Sequence, residues 1–149
     1  MKDAEPSGPP DLLVNTDTLP WLPLGERASF RLLRVSPETG VTVMMLRVEA
    51  GGCFAAHKHL GAAEGYVTRG SFKYRTGVAR AGDYFYEANG AVHEATHAEE
   101  DSESLFILHG PIALLAEDGS YEVVLDWEYY VSVARGGEFR DVTVRRSAA

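Results

Sequence analysis

The chain has 149 residues, 45% of them hydrophobic and 24% charged, with 22 acids against 14 Lys plus Arg and a formal net charge of -8. That is one domain's worth of a soluble globule, able to bury roughly 68–70% of its unfolded surface, and neither a disordered nor a fibrous chain. The acidic balance offers phosphates no basic stripe and repels an anionic bilayer, which excludes nucleic acid and membrane as expected partners.

Residues 1–10 carry three prolines and no hydrophobic periodicity, so they read as a lead-in, with one domain expected over 11–142 and a tail over 143–149. No apolar run is long enough to span a bilayer and Met1 is followed by no apolar leader, so the expected location is cytoplasmic. Pro20 and Pro23 forbid a regular helix between Leu12 and Gly25, where Leu13, Leu19, Trp21 and Leu22 suit an extended strip laid on a core. Short β-rich runs follow: Ser29–Val35, Val41–Val48, Glu64–Thr68, Ser71–Arg75, Asp83–Glu87, Leu105–Leu108, Ile112–Leu115 and Tyr121–Leu125. Pro37–Gly40, Gly51-Gly52 and Glu117-Asp118-Gly119 supply turns between them. Such spacing predicts an all-β sandwich or barrel, and no repeat points to a solenoid or propeller. Asp126–Arg135 fits a helix or a strand, and the acidic run Glu99–Glu103 reads as a solvated loop.

A single cysteine, Cys53, excludes an internal disulfide framework and a cysteine-rich zinc site, leaving histidine and carboxylate as metal ligands. His57 and His59 lie two apart, and on a strand that spacing puts both rings on one face. Residues 93–97, His-Glu-Ala-Thr-His, formally match the HExxH zinc-peptidase motif. That motif works on a helix, whereas this segment follows an alternating run and Gly90 in a β-rich chain, and it leaves His57 and His59 without a role.

The pattern Gly51-x5-His57-x-His59-x4-Glu64-x5-Gly70, followed by Gly82-x5-Ala88-x-Gly90-x2-His93, resembles the two motifs of the cupin superfamily. The resemblance implies a single-domain cupin jelly-roll β-barrel, an antiparallel sandwich whose motifs converge on a metal. Counted back from Gly70, the usual glutamate ligand falls on Ala63 and Glu64 faces away, so the expected ligands are His57, His59 and His93. Further stretches are similar to the branch that contains the acetylacetone-cleaving (β-diketone) and 2,4'-dihydroxyacetophenone dioxygenases. They are Ser36-Pro37-Glu38-Thr39, Phe54-Ala55-Ala56-His57-Lys58-His59, Thr68-Arg69-Gly70, Gly90-Ala91-Val92-His93, Gly110-Pro111, Asp118-Gly119 and Trp127.

That likeness implies a non-haem Fe(II) centre on the three histidines, Glu87 and Arg75 as catalytic groups, and Phe54 and Thr96 around them. Where the branch has a pocket tyrosine this chain has Gly65, so Tyr66, one position later, is the expected substitute. The implied substrates are a dicarbonyl or hydroxyketone and O2, with Fe(II) and no organic cofactor, although zinc or nickel can displace iron during purification. Tyr84 and Phe85 suit either pocket or core. Pairing of copies into a homodimer or homotetramer through edge strands is a further expectation. A zinc-binding regulatory cupin, as in some anti-sigma factors, would use the same histidines without catalysis, and a metal-free sugar epimerase or isomerase would not need them.

Overall fold

A computed structural model describes residues 11–74 and 76–136. The lead-in over 1–10, Arg75, the end of the expected domain and the tail over 143–149 lie outside the described residues. In chain order the strands are β1 (Leu22–Gly25), β2 (Ala28–Ser36), β3 (Val41–Val48), β4 (Cys53–Phe54), β5 (His57–His59), β6 (Ala63–Arg69) and β7 (Ser71–Tyr74). They continue with β8 (Gly77–Arg80), β9 (Tyr84–Glu87), β10 (Val92–His93), β11 (Thr96–His97), β12 (Ser102–Leu108), β13 (Ile112–Leu115) and β14 (Tyr121–Leu125), and a helix α1 (Trp127–Ala134) follows. A six-stranded sheet runs β1-β2-β3-β12-β6-β9 and a four-stranded sheet β10-β5-β13-β14, with β11-β4 and β7-β8 as two-stranded ribbons. Every pairing is antiparallel, as the all-β sandwich expectation requires.

Strict alternation decides which face turns inward. On β3 the buried residues are Thr42, Met44, Leu46 and Val48, and on β12 they are Ser102, Ser104, Phe106 and Leu108. The register sets Phe106 beside Met44 and Gly65, and Leu108 beside Thr42 and Ala63, so one sheet face becomes continuous core. Leu125, with the partly buried Ile112, Leu114 and Val123, closes that core from the four-stranded sheet. Each large apolar side chain taken fully from water contributes about 1.5–3 kcal/mol before chain entropy is set against it.

One open reading is decided here and two are corrected. Asp126–Arg135 is helical: the Asp126 carboxylate accepts from the Tyr129 N–H at 2.9 Å, and Tyr129, Tyr130 and Val133 form one buried face. Leu13 is 98% exposed and does not join a core strip, and Trp21 lies instead against the guanidiniums of Arg31 and Arg47, at 4.4 and 3.9 Å from its ring centre. The acidic run is only partly a loop, because Ser102 and Glu103 begin β12 and Glu103 accepts from Arg47 at 2.8 and 3.0 Å. Among the described residues no helix is long and apolar enough to cross a membrane.

Candidate metal centre

His57 and His59 project from the same face of β5, and β10 runs antiparallel beside it so that His93 stands opposite His57. The three rings close on one another, with centroids 5.0 to 5.2 Å apart. One nitrogen from each lies within 4.8 Å of the others. His57 Nδ1 sits 2.9 Å from the Ala55 carbonyl, which only accepts, so Nδ1 carries the proton and Nε2 keeps its lone pair for a ligand. Burial holds the His57 imidazole below its ordinary 6.5; His59 and His93 add to the push, while the Ala55 bond and Glu87 oppose it. A histidine neutral at lower pH is a histidine ready to bind metal.

Glu87 reaches this cluster from a neighbouring strand. It pairs with Ala63 across β9 and β6, and its Oε2 stops 2.9 Å from Nε2 of the fully buried His59. Neither atom is in hydrogen-bond geometry with any partner, and His59 Nδ1 has none either. Buried polar atoms brought this close without a bond cost free energy unless a third group satisfies them, and a cation held by the three imidazoles would take up their nitrogens. The donor set therefore fits a divalent metal. Burial pushes the Glu87 carboxyl up, but the approach of His59, His93 and Tyr74 outweighs it and leaves the group below its ordinary 4.5.

The metal-free protein should lose stability on acidification in two stages. His57 takes its proton at a lower pH when folded than when unfolded, so its contribution is complete above about pH 6.5 and is lost as pH falls toward the folded value. Glu87 has the same sign, its loss beginning below about pH 4.5. Urea midpoints of the chelator-treated protein, taken from neutral pH downward, should fall through both windows, and a flat profile would contradict these environments.

The cavity beside the histidines has a volume of about 320 Å³ and is mostly apolar, with Phe54, Phe72, Met44, Leu46 and Phe106 on its walls. Phe54 and Thr96 line it, and Glu87 and the half-buried Cys53 border it. Tyr66 does not. On β6 the inward positions are Ala63, Gly65 and Val67, so Tyr66 points out with 47% of its surface exposed. Glu64 shares that outer face, accepting from the Tyr84 hydroxyl at 3.1 Å with His109 at 3.8 Å, and is no member of the histidine cluster. A side chain at Gly65 would run into the Phe85 ring and the Leu105 carbonyl, so Phe85 fills that place as core while Tyr84 is 64% exposed.

The residue missed from sequence is Tyr74. It lines the cavity from β7, its ring 5.4 Å from Phe72, 5.7 Å from Phe85 and 6.4 Å from His93. The alternation Phe72-Lys73-Tyr74, aromatic on one face and charged on the other, was the available signal. His93 to His97 are two short strands, β10 and β11, rather than a helix, and exposed His97 pairs with Cys53 on β4. The peptidase motif has no helical face on which to work.

An antiparallel sandwich with His-x-His on one inner strand and a third histidine on its neighbour defines a cupin with a candidate metal centre. The chain belongs to the family of ChrR cupin-like domains, whose model matches residues 9–113. The acetylacetone-cleaving enzyme of Acinetobacter johnsonii is 30% identical over 105 residues, 66% of this chain and 69% of that protein. A solved structure assigned as an acetylacetone dioxygenase of Methylibium petroleiphilum has 31% identity and a TM-score of 0.76, covering 85% of this chain and 96% of that one. The acetylacetone dioxygenase structure from A. johnsonii superposes with the same TM-score of 0.76 at 22% identity, over 91% of this chain and 97% of that one.

Proposed function

We propose that the protein is a non-haem Fe(II) dioxygenase that cleaves a carbon–carbon bond of a β-diketone or related hydroxyketone. The observation that carries this reading is an apolar cavity of about 320 Å³ lined by His57, His93 and Glu87, with His59 converging on the same cluster from behind its wall. His57, His59 and His93 would hold the iron, which would supply Lewis acidity toward an enolate and redox chemistry toward dioxygen. With three neutral imidazoles as donors, the site favours a ligand that brings its own negative charge.

Glu87 holds or takes the proton that a β-diketone releases from its central carbon, being ionised at neutral pH and directed at the cluster. Arg75 is proposed to balance negative charge on the substrate, and Phe54 and Thr96 to shape its seat and keep water out. In the overall reaction O2 adds, the bond between the central carbon and one carbonyl carbon breaks, and each product keeps one atom of O2. A diketone then gives a carboxylic acid and an α-oxo carbonyl. The substrate supplies all the electrons, so no reductant or organic cofactor takes part. Pairing of copies through the open edge at β9, where Tyr84 and Tyr86 are exposed, belongs to the same reading, and sedimentation reads the mass.

The test is oxygen uptake by metal-stripped protein reloaded anaerobically with Fe(II) or Zn(II) and offered acetylacetone or a hydroxyacetophenone. Uptake with iron alone, matched by an acid product, is expected. Tight metal binding without uptake on any of these substrates would favour the second reading, a zinc-holding regulatory cupin, for which the ChrR cupin-like match speaks.

A further inference from the structure

The Tyr74 hydroxyl is buried at the cavity wall with no hydrogen bond of good geometry, although it approaches the Glu87 carboxylate. Its ring is held in an aromatic row between Phe72 and Phe85, which fixes where the phenolic oxygen sits. Burial and the charge of Glu87 hold the phenol far above its ordinary 10, so it is a donor at every working pH. Tyr74, His93, Thr96 and Lys73 line both the histidine cavity and a neighbouring cavity of about 420 Å³, so Tyr74 borders both. A buried hydroxyl whose approach to Glu87 falls short of good hydrogen-bond geometry, beside three nitrogens that gather a cation, is placed to turn to an acceptor that arrives with the ligand.

We propose that Tyr74 donates a hydrogen bond to a negatively charged oxygen of the ligand held at His57, His59 and His93, and so selects enolates and carboxylates over neutral nitrogen ligands. This deepens the proposed function and rests on its placing of a ligand at those histidines. Glu87, on the same wall, repels an anion that lacks such a donor, so Tyr74 offsets that repulsion while the carboxylate remains free to hold a proton.

The experiment uses the zinc-loaded full chain, where binding is measured without turnover, and compares wild type with Tyr74→Phe. Acetylacetonate, followed by its own absorbance, should bind about tenfold more weakly to the variant, the loss typical of one hydrogen bond to a charged group. Imidazole, which offers no oxygen, should bind equally to both, and metal content should not change. Unaltered acetylacetonate affinity would overturn the assignment, as would equal weakening of both ligands, which marks a change of cavity shape. Failure of the dioxygenase reading looks different. Iron-loaded wild type that takes up no O2, with acetylacetonate binding still dependent on Tyr74, sinks the reaction and keeps the donor.

Discussion

His57→Ala and His93→Ala should each weaken metal retention by more than about 100-fold and abolish oxygen uptake, since even groups that merely orient a ligand are worth 10–100-fold in affinity. The cluster contains three imidazoles and no carboxylate among its donors, so deleting one leaves two neutral nitrogens against a dication. His57 is the sharper test because its tautomer is set by the Ala55 carbonyl, which dedicates Nε2 to the cavity. His97→Ala is the control: His97 is exposed on β11 and outside the cluster, so its loss should leave the metal in place. Metal analysis after dialysis against a weak chelator checks all three. Retention by His57→Ala together with loss by His97→Ala would reverse the site and restore the HExxH motif.

What could be read from sequence was what a strand's period of two makes local. Alternation over Val41–Val48 and the spacing of His57 and His59 show strands and a shared face without any tertiary knowledge. The same parity argument carries further than the Tyr66 expectation allowed. If Glu64 faces out, Tyr66 must face out as well, and the inward phenol had to be sought elsewhere. It comes from β7 as Tyr74. The helix at Trp127–Ala134 was obscured because Tyr, Val and Trp favour strands by composition, while the decisive features were the Asp126 cap and the one-sided burial of Tyr129, Tyr130 and Val133. Packing chose between them.

The resemblance named Glu87 as a catalytic group, but its contact with His59 was not legible, because that depends on register between strands distant in sequence. Ala63 stands where the cupin pattern expects a glutamate. β9 pairs Glu87 with Ala63, and this carboxylate reaches His59 from the adjacent strand instead of from β6. A residue-by-residue motif comparison registers a lost ligand. The sheet shows a carboxylate shifted sideways, outside the three-nitrogen set yet within 2.9 Å of one of its rings.

That shift makes Glu87→Gln the most informative single substitution for the reaction. Gln keeps the shape and the polar contact with His59 but neither carries charge nor accepts a proton from the substrate. Oxygen uptake should fall about 10²–10⁴-fold, the usual worth of a positioned acid or base, while the metal stays bound. Any acid limb that the ionisation of Glu87 gives to the wild-type pH profile, lying below about pH 4.5 because the folded carboxyl is held under its ordinary value, should disappear in the variant. Two results would redraw the site. Full activity in Glu87→Gln would remove the carboxylate from the chemistry and leave its buried charge as structure alone. Loss of metal along with activity would make Glu87 a fourth ligand, and the three-nitrogen centre would become a mixed one in which the enzyme, rather than the substrate, supplies the neutralising charge.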